Sequence, residues 1–172
     1  MKSSRVTLRS PAEIAQAREA GHLAARVLHM ITPHVQPGVS TEALDRLCHD
    51  YIVNELQVTP ANVGYLGYPK TVCTSVNHVI CHGIPSPGQV LKAGDIINID
   101  VAIIKDGWFG DTSRMYFVGE PSPLARRLVD TTYEAMCAGI AQVRPGATLG
   151  DVGHAIQSVA HRERFSVVRE YC

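Results

Sequence analysis

Apolar positions fall at helical spacing at both ends of this chain and into short β-branched runs between them. Ser10-Pro11-Ala12-Glu13 is a capping box with proline at the first helical position. Behind it Ile14, Ala17, Gly21, Ala24, Leu28 and Ile31 recur at three- and four-residue steps, which gives a helix one apolar face. Pro33 and then Pro37-Gly38 close it. Ser40 or Thr41 caps a second helix with Leu44, Leu47, Cys48, Tyr51 and Ile52 inward. From about Val58 to Val118 glycine, proline, asparagine and β-branched residues replace the helical period, and 71–76, 79–81, 95–104 and 108–118 read as strands. After Glu120-Pro121-Ser122-Pro123, Leu124, Leu128, Thr131, Ala135, Met136, Ile140 and Val143 line one helical face. Pro145-Gly146 ends that helix, Thr148 and Asp151 cap the next, and Val152, Ile156 and Val159 point inward; 165–169 turns β-branched again. The pattern predicts helices over 10–32, 41–56, 121–143 and 149–162 on one face of a mainly antiparallel sheet, an α+β fold.

The two helical pairs resemble each other. Val35-Gln-Pro-Gly-Val-Ser40 matches Val143-Arg-Pro-Gly-Ala-Thr148 at an offset of 108. A Pro-Gly turn before a capped helix is common punctuation; the alternative is a duplicated unit of two helices followed by strands, with halves at about 10–118 and 120–172. On that second reading the strand region of the first copy, 58–118, has only 163–172 as its counterpart. Part of a second sheet is then expected to be missing, which leaves Ile140, Val143, Ile156 and Val159 uncovered.

Charge narrows the function classes. Sixteen Lys and Arg balance sixteen Asp and Glu over 172 residues, without the basic excess of a nucleic-acid or anionic-membrane binder. With 45% hydrophobic and 19% charged residues the composition is that of a globular domain. No apolar run reaches the roughly 18 residues of a membrane span, and Met1-Lys-Ser-Ser-Arg5 leads into no apolar signal core. Five cysteines at irregular spacings, none in a Cys-x-x-Cys pair, read as reduced thiols of a cytoplasmic protein.

Candidate chemistry concentrates in the β-rich middle. Lys105-Asp106-Gly107 is a hairpin turn between two β-runs. A loop at Lys105-Asp106 sets Asp100 opposite Asp111; a loop at Asp106-Gly107 sets Asp111 opposite Ala102, diagonal to Asp100. Either register puts both carboxylates on one face, where like charges are destabilising unless compensated. A divalent cation would compensate them, since two such carboxylates can bridge a metal pair. A proton-sharing acid dyad, or a surface Asp beside one paired with a base such as Arg114, remain as alternatives. His78 and His82 are four apart, but Gly83 and Pro85 disfavour the helix a zinc motif needs, and on a strand they are about 13 Å apart. Cys81-His82 makes no nucleophile pair, because successive strand residues face opposite ways. Tyr65 and Tyr68 lie in a glycine-rich loop with Cys73 nearby, a wall suited to a polarisable apolar side chain or, alternatively, a cover for the sheet edge.

These segments together resemble a bacterial-type (type I) methionine aminopeptidase. The likeness is carried by Gly64-Tyr-Leu-Gly-Tyr-Pro-Lys70, Val79-Ile-Cys-His-Gly-Ile-Pro85, Gly94-Asp-Ile-Ile-Asn-Ile-Asp-Val101, Gly107-Trp-Phe-Gly-Asp-Thr-Ser113 and Phe165-Ser-Val-Val-Arg-Glu-Tyr-Cys172. It implies the pita-bread (creatinase/aminopeptidase-like) fold, here the first pseudo-symmetric half plus the helices of the second, as a single incomplete catalytic domain over 1–172. It implies removal of the initiator methionine from nascent polypeptide N-termini, with the ribosome as a cellular partner and a monomeric complete enzyme. The family holds two divalent ions (Co, Mn, Fe or Zn) with two Asp, one His and two Glu. Carried over, Asp100 and Asp111 are metal ligands, His82 is the catalytic, substrate-side histidine, and Tyr65, Tyr68 and Cys73 wall the methionine pocket. Asn62 departs from a Cys of some relatives on that wall. The resemblance places the remaining His and both Glu after Cys172, so this chain is expected to be C-terminally shortened, to bind metal weakly and to be inactive alone. A non-catalytic pita-bread protein-binding module is the alternative, and a non-functional fragment a further one.

Overall fold

The computed structural model describes residues 7–169, which fall into two compact units divided between Glu120 and Pro121. In the first unit, α1 (Pro11–Ile31) starts at the predicted capping box, where Ser10 Oγ accepts the Glu13 N–H and the Glu13 carboxylate accepts the Ser10 N–H. α2 (Thr41–Asp50) is capped by Ser40. It is shorter than predicted, because residues Tyr51–Glu55 widen into a π-helical turn closed by Leu56 N–H on Tyr51 O. The strands are β1 (Thr59–Pro60), β2 (Val72–Val76), β3 (Ile96–Lys105) and β4 (Trp108–Phe117). β3 is central and every pairing is antiparallel: β4 runs along one edge, β2 and the short β1 along the other.

The two-residue period of β3 sorts its side chains. Ile97, Ile99, Val101 and Ile103 are fully buried and join Ala24, Val27, Leu28, Ile31, Leu44 and Ile52 of the helical layer in one core. Asn98, Asp100 and Ala102 point to the other face. The buried Tyr116 hydroxyl of β4 donates to Leu28 O of α1 at 2.7 Å.

α1 crosses β4 at Gly110, where an added Cβ would stand 2.1 Å from Ala20 O and 2.5 Å from Ala20 C. Those are backbone atoms inside a helix and cannot swing away. Gly110→Ala is therefore expected to cost about 3 kcal/mol, the upper end for overpacking, read as a lowered midpoint in urea unfolding of the full-length protein. An unchanged midpoint would show that α1 can lift off the sheet freely.

Two sequence expectations for this unit need correction. Residues 79–81 form no strand: Asn77 adopts a left-handed φ of 52° and Val79 N–H bonds Val76 O, so the chain turns off the sheet at the end of β2. Leu47, expected inward, is 37% exposed, and Asp45 occupies the buried stripe instead.

The second unit is a helix pair, α3 (Pro123–Ile140) and α4 (Leu149–Arg162), each N-capped by a side chain, Ser122 and Thr148. The helices pack where Gly139 meets Ile156 and Val152. Within this unit Ile140 and Val143 are exposed, as expected; Ile156 is half-buried and Val159 is buried at 6%, contrary to expectation. Residues 165–169 form no strand, and Glu170, Tyr171 and Cys172 of the last motif lie outside the described residues.

Candidate active site

The β3–β4 hairpin sets the acid pair. Its turn is Asp106-Gly107, both with positive φ (50° and 82°), the primed geometry that matches strand twist. Lys105 then pairs with Trp108, Ala102 with Asp111, and Asp100 with Ser113. Of the two registers the sequence allows, the structure takes the second, so Asp100 and Asp111 are diagonal neighbours on one face. Arg114 pairs with Ile99, on the helix-facing side, and its guanidinium lies 5.5 Å from the Tyr116 ring centroid. It is thereby excluded as the counter-ion of Asp111.

A cavity of about 530 Å³ opens over this face and brings together Tyr65, Tyr68, Cys73, His82, Asp100 and Asp111, with Asn62 on the wall. Each element has a local reason. β2 pairs Cys73 with Asp100, which places the thiol beside the acid on the open face. The tyrosine loop closes on itself through Gly64 N–H to Tyr68 O (2.8 Å) and Tyr68 N–H to Tyr65 O (2.9 Å). The Tyr68 hydroxyl lies 3.0 Å from Val72 O and 3.1 Å from Gly83 O and also hydrogen-bonds the Cys73 side chain.

His82 is presented by its neighbour. Gly83 O accepts Thr74 N–H at 2.8 Å and Gly83 N–H donates to Ser75 Oγ at 3.2 Å, so this residue lies flat on β2. A Cβ there would sit 2.1 Å from Thr74 O, which requires glycine. His82 itself has a left-handed φ of 56°, a conformation that costs a non-glycine residue about 1–3 kcal/mol and clusters at functional sites. The imidazole is exposed at the cavity.

The electrostatics single out Asp100. Burial, and then the Asp111 carboxylate, push the Asp100 carboxyl above its ordinary range, partly offset by His82 and by the Val101 N–H. Burial also raises the Cys73 thiol and the Tyr68 phenol, which keeps both neutral at pH 7. For Asp100 the sign is clear: a raised carboxyl favours the fold at acid pH and loses that contribution as pH rises through its folded value. With chelator present, Asp100→Asn is thus expected to raise the melting temperature at pH 7.5 and to leave it unchanged near pH 4. A lowered melting temperature at pH 7.5 would show that the charge is compensated.

Two carboxylates on one open face suit a hard divalent cation in charge and donor type. They are a partial donor set, since no group of three or more His, Cys, Asp or Glu is arranged to hold a metal among the described residues. Sequence reasoning missed one contributor, Asp45, which accepts the N–H groups of Thr71 and Val72 behind the cavity wall. Its signal was an Asp inside the apolar stripe Leu44–Cys48–Ile52.

Over 167 residues, 97% of the chain, it is 53% identical to the methionine aminopeptidase of Escherichia coli K12 and spans 63% of that protein's length. The crystal structure of methionine aminopeptidase from Rickettsia prowazekii superposes with a TM-score of 0.94 at 51% identity, covering 97% of this chain and 66% of that one. A Xaa-Pro dipeptidase from Bacillus anthracis, at 19% identity and a TM-score of 0.78, shares the fold alone, the pita-bread fold of aminopeptidases and creatinase. The profile of metallopeptidase family M24 matches residues 15–172, and the chain belongs to that family.

Proposed function

We propose that the protein carrying this chain removes the N-terminal methionine from nascent polypeptides in the cytoplasm, close to the ribosome, using divalent metal held in part by Asp100 and Asp111. The observation that carries the reading is the single cavity in which the acid pair, His82 and the Tyr65–Tyr68–Cys73 wall meet. When bound, a pair of divalent cations (Co, Mn, Fe or Zn) would supply polarisation of the scissile carbonyl and a nucleophilic water at neutral pH. Asp100 and Asp111 would offer their oxygens from adjacent strands of a rigid hairpin, so little reorganisation is needed to bind charge.

His82 would donate a hydrogen bond to the oxygen on which negative charge develops, from a backbone that Gly83 pins to β2. The rings of Tyr65 and Tyr68, with the neutral Cys73 thiol, would take the unbranched thioether side chain of methionine. The segments 10–118 and 120–172 are, on this reading, two copies of one ancestral unit. That is supported by the equivalent Pro-Gly turns, with Gly38 at φ 88° and Gly146 at φ 89°, each followed by a side-chain N-cap.

The test is release of free methionine from a Met-Ala-Ser peptide by the full-length protein with Mn or Co, beside the same peptide N-acetylated. Release from the free amine alone supports the reading. No release with either metal, or equal release from the blocked peptide, would refute it.

A further inference from the structure

The cavity wall is held from behind by a carboxylate that the proposed chemistry does not use. Asp45 sits on the buried stripe of α2 and is 6% exposed. Its Oδ1 accepts the N–H groups of Thr71 at 2.8 Å and Val72 at 3.0 Å. The carbonyls of those same two residues serve the cavity. Thr71 O accepts Asn62 Nδ2 at 3.1 Å, and Val72 O accepts the Tyr68 hydroxyl at 3.0 Å. Asn62 and Tyr68 both line the cavity, and Cys73 follows directly in β2.

Packing alone does not explain an acid here. Burying a carboxylate is costly unless its oxygens are used, and an apolar residue would complete the stripe of Leu44, Cys48 and Ile52. What a carboxylate adds is a pair of charge-assisted hydrogen bonds, stronger and more directional than neutral ones. They converge on the short stretch of backbone to which two of the wall side chains are tethered. A shift of that backbone moves Asn62, the Tyr68 ring and Cys73 together, and through the 3.1 Å contact of the Tyr68 hydroxyl with Gly83 O it reaches the residue after His82.

We propose that Asp45 is a positioning residue that sets the width of the side-chain pocket through the Thr71–Val72 backbone, and thereby its preference for methionine over other apolar side chains. The inference rests on the functional reading above. It places a specificity determinant one layer outside the cavity, on a helix that contributes no residue to the cavity lining.

The experiment compares Asp45→Ala, Asp45→Asn and Leu44→Ala in the full-length protein. Leu44 is a fully buried neighbour on α2 and controls for lost stability. One readout is the ratio of kcat/KM for Met-Ala-Ser against Leu-Ala-Ser. The other needs no turnover: the rate of Cys73 alkylation by iodoacetamide relative to Cys48, mapped by mass spectrometry. Global opening exposes both buried thiols, whereas a loosened wall exposes Cys73 alone.

Asp45→Ala is expected to reduce the Met/Leu preference about tenfold, or about 1.4 kcal/mol, chiefly through KM, and to raise the Cys73/Cys48 ratio. Asp45→Asn keeps an acceptor oxygen without the charge and is expected to shift both readouts in the same direction by about threefold. Leu44→Ala should lower stability and move neither. If Asp45→Ala does not fold, the Asn variant carries the test.

Unchanged ratios overturn the proposal. So does an equal change in Leu44→Ala, or a raised thiol ratio with an unaltered side-chain preference, which would make Asp45 structural only. Should the wild-type protein release no methionine, the functional reading fails while the thiol ratio still decides whether Asp45 holds the wall.

Discussion

Asp111→Asn in the full-length protein is expected to lower metal-dependent methionine release by about a thousandfold or more. Cation-assisted polarisation supplies several kcal/mol, and each 1.36 kcal/mol is a factor of ten in rate. Asp111 projects from β4, diagonal to Asp100 on the same open face, and Arg114 lies on the opposite face. An amide matches the carboxylate in shape, so the fold should survive; it lacks the charge, so the affinity for a cation should not. The measurement couples turnover on Met-Ala-Ser with metal content by atomic emission, and both should fall. Wild-type turnover with a full complement of metal would remove Asp111 from the ligand set.

His82→Ala is expected to cut kcat by roughly 10²–10³, the scale of losing one donor to a developing oxyanion, while metal content stays at the wild-type level. The argument is geometric. The imidazole stands at the cavity holding the acid pair, and Gly83 fixes it by hydrogen bonds to β2 on both its N–H and its C=O. The same substitution leaves the left-handed φ at position 82 in place, so any stability change should be small beside the rate effect. Loss of metal from the variant would instead make His82 a ligand, and an unchanged kcat would remove it from the reaction.

Much of the site was legible because its signals are local. The segment Lys105-Asp106-Gly107 limits the register to two values, and either puts Asp100 and Asp111 on one face. An Asp at the centre of Ile-Asn-Ile-Asp-Val-Ala-Ile-Ile is out of place in a half-buried strand unless its face has other work. The glycines around Tyr65 and Tyr68 and after His82 mark close backbone approach. What misled was also local: residues 79–81 have the composition of a strand, yet a left-handed Asn77 turns them away from any partner. Propensity describes a residue's fit to a pleated surface and cannot tell whether a neighbouring strand is there to receive it.

The sequence by itself determined the capped helices, the order of helices and strands, and which side chains share a strand face, because each follows from periods of 3.6 and 2.0 and from turn chemistry within a few residues. Only the tertiary structure decided between the two hairpin registers, laid Gly83 on β2 and brought Asp45 of α2 against residues 71 and 72. The Gly83 and Asp45 contacts join residues from 8 to 27 positions apart in the chain. They depend on how α2 packs against the start of β2, and on which backbone groups the sheet leaves unpaired. A one-dimensional pattern records that a residue is buried or polar; it does not record which partner satisfies it.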